Sequence, residues 1–261
     1  MTNERLGPVP AGAFAALTRL ELHSCEYGGA WVEQAHQWPS LAEAAPRLEV
    51  LVCGSCHGWA GANIAAAMER HPALREVRLT WLNPYNVRSC GGPLAALPRL
   101  SSLAVHLTDD VWGDDEPCAG YAGYLARVNM AAMLVPEATD AIGRCSHLTQ
   151  LELSGGLRLP LRLTLACLCH GFADRLQHLV IGHGMFLPTP MAARKALEPL
   201  PSLPRLERLE LSVQTGDYTS GGIFDYTRIE ATVLALLEPL NALLPRCPAL
   251  RHLSITMPGS I

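Results

Sequence analysis

The chain has 261 residues, 49% of them hydrophobic and only 17% charged, so it holds enough apolar material for one large core or two smaller ones. A net charge of −4 excludes the basic excess that a general nucleic-acid surface needs. The most apolar stretches, 157–168 and 233–244, are broken by Arg158, Arg162, Glu238 and Pro239, short of the about 18 clean residues that a membrane helix requires. Met1–Phe14 carries Arg5 and then Gly7 and Pro8 in place of an apolar run, so no secretory signal is expected. An intracellular, cytoplasmic location is the expectation, and the nine cysteines should then be mostly free thiols.

Residues 1–16 read as an N-terminal segment that partly caps the rest of the chain. From Leu17 onward one apolar frame recurs in chain order. It is Leu17-Leu20-Leu22, Leu48-Leu51-Cys53, Leu74-Val77-Leu79, Leu100-Leu103-Val105, Leu148-Leu151-Leu153, Leu176-Leu179-Ile181, Leu206-Leu209-Leu211 and Leu250-Leu253-Ile255. The starts are 31, 26, 26, 48, 28, 30 and 44 residues apart. Most of these gaps suit one strand plus one helix; the two longest suit the same unit with an inserted loop. In five of the eight copies the second and third frame positions flank a polar residue (Glu21, Arg78, Glu152, Glu210 or Ser254), as a strand with one buried face requires.

Two residues before the opening leucine stands Pro46, Pro72, Pro98, Pro204 or Pro248, with Ser146 and Asp174 in two further units. Proline there ends any preceding helix. Between the strands, 64–70, 191–198 and 229–237 are rich in Ala, Leu, Met and Glu and predict helices. Thr189-Pro190 supplies a cap followed by proline at the first helical position, and Thr227 with Glu230 forms a capping box.

These residues resemble the leucine-rich-repeat family, and within it the cysteine-containing subclass. Cys145 and Cys247 stand in the subclass's opening slot, and Cys25 and Cys56 in its closing slot. The resemblance implies an α/β solenoid, or horseshoe, of about eight irregular repeats over 17–261. Parallel strands would line its concave face and helices its convex one, with insertions near 106–135 and 212–228. It also implies a protein-interaction module or scaffold. Two narrower roles follow: the substrate-recognition adaptor of an SCF-type ubiquitin ligase, which accompanies the subclass and usually has an F-box ahead of the repeats, and, from the broad use of such repeats, a structural component of a cytoskeletal or axonemal assembly.

Sharper motifs compete with that frame. Cys53-Gly54-Ser55-Cys56-His57 matches the c-type haem attachment pattern, but Cys53 occupies a frame position and Cys56 the closing slot, so both are expected in the core as small apolar residues. Cys167-Leu168-Cys169-His170 has no second ligand pair at zinc-site spacing. Asp109, Asp110, Asp114, Asp115 and Glu116 lack the alternating ligands and central glycine of a calcium loop. There is no Gly-x-Ser-x-Gly elbow, phosphate loop or His-Glu-x-x-His motif. No catalytic residue, cofactor or metal is therefore expected, and neither nucleic acid nor a membrane is expected as a partner.

A protein partner is expected, and two sets of residues are candidates to hold it. On the polar strand face these are Arg19, Glu21, Glu76, Arg78, Glu152, His178, Arg208, Glu210 and His252. In the insertions they are Trp112, Tyr121 and Tyr124, and then Tyr218, Phe224 and Tyr226. Aromatic side chains beside charges are the composition of interface hot spots. The two insertions leave strands three steps apart, about 14 Å at sheet spacing, close enough to form one lip.

Overall fold

The computed structural model describes residues 10–22, 43–53, 65, 67–82, 84–107, 140, 142–155, 171–186, 190–198, 200–214 and 226–256. The fold is α/β. Its strands are β1 (Arg19–Leu22), β2 (Val50–Cys53), β3 (Glu76–Leu82), β4 (Ser102–Leu107), β5 (Gln150–Gly155), β6 (His178–Phe186), β7 (Arg208–Gln214) and β8 (His252–Thr256). They form one eight-stranded, all-parallel open sheet whose spatial order is the sequence order. Among the described residues the longer helices are α1 (Pro84–Ala96), α2 (Pro190–Ala196) and α3 (Tyr226–Leu243).

The register follows the apolar frame. Leu20, Leu51, Val77, Leu103, Leu151, Leu179, Leu209 and Leu253 are successive partners across all eight strands. Strand side chains alternate between faces, so this row and the next, Cys53-Leu79-Val105-Leu153-Ile181-Leu211, share the inner face and are buried except at the end positions Leu20 and Leu253. The opening leucines Leu48, Leu74, Leu100, Leu148, Leu176 and Leu206 close the core from the side, and one continuous cluster runs from Leu48 to Cys247. Each buried leucine contributes about 1.5–3 kcal/mol, so these rows are the main source of stability.

Each strand is entered through a tight turn. The N–H of Leu48, Leu74, Leu100, Leu148, Leu206 and Leu250 donates to the carbonyl three residues back, at 3.0–3.4 Å. The proline of the frame thereby stands second in the turn, where its fixed φ is already the one required. The residue after the leucine forms a corner. The carbonyls of Thr18, Glu49, Arg75, Ser101, Thr149, Gln177 and Glu207 each accept two N–H groups from the next unit, at 2.7–3.2 Å. A single column of paired hydrogen bonds thus ties every strand entry to its neighbour.

Of the expected helices, 65 and 67–69 are helical, α2 begins at Pro190, and α3 runs past Pro239 to Leu243, beyond its expected end. Because α3 begins at Tyr226, Thr227 lies in the first turn instead of ahead of it. Helix α1 was not expected, since Asn86, Gly91, Gly92 and Pro93 all disfavour helix. Burial of Cys90 and Leu94 against the sheet outweighs that preference.

Candidate partner-binding face

The outer face of the sheet is a grid. Its first row reads Arg19, Val50, Glu76, Ser102, Gln150, His178, Arg208, His252 across the strands, and its second Glu21, Val52, Arg78, Ala104, Glu152, Val180, Glu210, Ser254. All nine strand-face candidates stand on this grid, because period-two alternation sends every residue between two core positions outward.

The charges are organised in pairs within strands. Arg19 donates to Glu21, Arg78 Nε to Glu76 Oε1 at 2.8 Å, and Arg208 to Glu210. Residues two apart on a strand share a face, which is why an Arg-x-Glu or Glu-x-Arg spacing pairs in this way. Across strands, Arg78 Nη1 lies 3.8 Å from Glu152 Oε2, passing over Ala104, whose side chain is too short to intervene. These groups are a quarter to a half exposed, so each pair adds at most about 1 kcal/mol to stability. Pairs of that strength can exchange an internal partner for an external one at little cost.

The middle of the face is built differently. From β4 to β6 the small Ser102, Ala104, Ser154, Val180 and Gly182 form a floor from which Gln150, Glu152 and His178 rise, with His106 Nδ1 hydrogen-bonded to Ser154 Oγ at 2.9 Å. A Cβ on Gly182 would lie 2.9 Å from the Ser154 Cβ, so that close approach of β5 and β6 needs glycine. The charged pairs of β3 and β7 flank this floor, four strand steps or about 19 Å apart.

The sequence pattern did not reveal that Val50 and Val52, on the outer face of β2, are 7% and 6% exposed. Flanked by Arg19 and Glu76, and by Glu21 and Arg78, they are closed to a partner. Two strands are also longer than their pairing requires. An extra residue enters β3 between Leu79 and Leu82, and the β6 register shifts between Ile181 and Met185. Both irregularities sit just before the strands that lead into the two insertions, at the same end of the sheet, where bulges commonly reshape a rim.

Trp112, Tyr121, Tyr124, Tyr218 and Phe224 lie outside the described residues, as do Cys56, His57, the acidic cluster 109–116 and the 167–170 motif. Tyr226 is the first residue of α3, and its side chain is outside the description as well. Cys53 is buried in the core, as its frame position required. Among the described residues no group of three or more His, Cys, Asp or Glu side chains is placed to hold a metal. No helix among them is long and apolar enough to cross a membrane. No family model matches the chain, and no curated protein matches it.

Proposed function

We propose that this chain is a leucine-rich-repeat solenoid, with the repeats spanning 17–261, that binds a protein through the outer face of its sheet and the rim insertions and catalyses no reaction. The observation that carries the reading is the unbroken register. Eight apolar frames spaced unevenly in sequence become successive partners in one parallel sheet. Such a sheet offers a wide, rigid outer surface whose side chains can vary without disturbing the core. The weak ion pairs and the broad polar surface between β3 and β7 suit a folded protein segment better than a small molecule, since no deep cleft is needed to hold it.

The test is affinity capture from the native cell followed by mass spectrometry, with the wild-type chain beside an Arg208→Glu, Glu152→Arg double variant. Both substitutions are on partly exposed outer-face positions, so the fold is expected to survive. A protein recovered with the wild type and reduced tenfold or more with the variant supports the reading. Recovery of ubiquitin-ligase subunits would point to the adaptor role, and recovery of axonemal or cytoskeletal proteins to the structural one. Equal capture by both forms would move the binding site off this face.

A further inference from the structure

We infer that the β8 end of the sheet receives the β1 end of a second copy of this chain, head to tail, extending the sheet across the junction. The β8 end is apolar in both of its layers. In β8, Leu253 is 40% exposed, whereas Leu209, its partner in β7, is 0% exposed. Leu250 and Ile255 are likewise half-buried, while Leu206 and Leu211 one unit earlier are fully inside.

The helix layer repeats the pattern. Helix α3 buries Thr232, Leu236, Pro239, Leu240 and Leu243 along one stripe. At about 100° per residue, Glu238 lies on one flank of that stripe and Val233 and Leu237 lie on the other. The Glu238 flank faces back toward the preceding helix, because Glu238 pairs with Arg194 of α2 at 3.5 Å. The opposite flank therefore faces outward, past the end of the sheet. Leu237 there is 44% exposed, and Leu244 in the following 3-10 turn, near the same direction, is 43% exposed. Leu237, Leu244 and Leu253 thus stand where the next unit would cover them.

A second copy matches this end in hydrogen bonding as well as in polarity. At each junction the corner carbonyl accepts the N–H groups of two consecutive residues of the following unit. Arg251 is the corner residue of the last unit, and among the described residues no strand lies beyond β8 to donate to it. Thr18 and Arg19 hold the two donor positions in the first unit, and among the described residues no strand lies before β1 to accept from them. The β1 end offers half-buried Leu17 and Leu20, together with Phe14 at 46% exposure. Docking in the existing register would set Leu20 beside Leu253, Arg19 beside His252 and Glu21 beside Ser254. A parallel junction between different ends does not close on itself as a two-fold pair does, so assembly proceeds beyond the dimer.

Sedimentation velocity over a wide concentration range tests the inference. The wild-type chain is expected to grow in mass with concentration and to pass the dimer. Leu237→Arg changes an exposed helix flank and Phe14→Glu an exposed turn; each is expected to keep the wild-type circular dichroism and to weaken self-association about tenfold or more. Mixing these two variants leaves one intact pair of ends per couple, so the mixture is expected to form a heterodimer and stop there. A wild type that remains monomeric at every concentration overturns the inference. So does a wild type that halts at a dimer, which would indicate pairing of like ends, or a Leu237→Arg chain that associates as the wild type does.

Discussion

Single residues settle how closely adjacent units can approach. Gly171 and Gly143 occupy equivalent places in neighbouring units, and a Cβ on Gly171 would lie 1.8 Å from the Gly143 carbonyl oxygen. Gly171→Ala therefore has to push backbone apart, and is expected to cost about 1–3 kcal/mol in urea unfolding. Gly92, inside α1, has nothing within 4 Å of the same position, so Gly92→Ala should stabilise by about 0.5–1 kcal/mol through helix propensity alone. The buried thiols make a second residue-scale case. Burial pushes Cys90 and Cys145 from 9.0 up to about 12, and raises Cys247 as well, against the opposing effects of a backbone hydrogen bond with Leu203 and the Arg246 charge. Above pH 9 the unfolded chain releases thiol protons that the folded chain keeps, so stability present below that pH is lost as pH rises toward 12. The expected loss is about 1.4 kcal/mol per pH unit for each such thiol. A Cys90→Ala, Cys145→Ala chain should show a correspondingly shallower decline across an alkaline series of unfolding curves. His71 has a different kind of constraint: its Nδ1 donates to the Ala67 carbonyl at 2.7 Å, and its buried Nε2 has no partner among the described residues. Leaving that buried nitrogen unpartnered costs about 1–3 kcal/mol.

At the scale of elements, the turn before each strand is where sequence and structure correspond most directly. Ser146 holds the place that proline holds in five other units, and the turn it enters is closed by the same Leu148-to-Cys145 hydrogen bond, at 3.3 Å. Ser146→Pro is thus expected to stabilise by about 0.4–1 kcal/mol, chiefly by stiffening the unfolded chain, read as a higher urea midpoint at constant slope. The strands were legible because alternation and a leucine frame specify both face and register. Helix α1 was not, because its local signals oppose helix and only Cys90 and Leu94 meeting the sheet decide the outcome. The candidate face was legible in part. Alternation alone places Arg78 and Glu152 outward, but their meeting over Ala104 depends on strand order, which no local pattern contains. The closing-off of Val50 and Val52 was equally unreadable, since an outward valine looks the same whether or not something lies over it.

For the whole molecule, the sheet order means that every strand pairs only with its sequence neighbours. Stability is then a sum of nearest-neighbour junctions, and the ends lack one junction each. Native-state amide exchange is expected to be slowest in β4–β6 and fastest in β1 and β8. Equal protection along the sheet would show that the chain opens only as a single block. The same column of corner carbonyls has a bearing on how the chain is made. Each carbonyl is set by one unit and filled by the next, always in the direction from the N-terminus to the C-terminus. During synthesis a newly emerged strand therefore meets its template already in place and needs no segment still to be translated. The sheet can therefore be built in the order in which the ribosome delivers it.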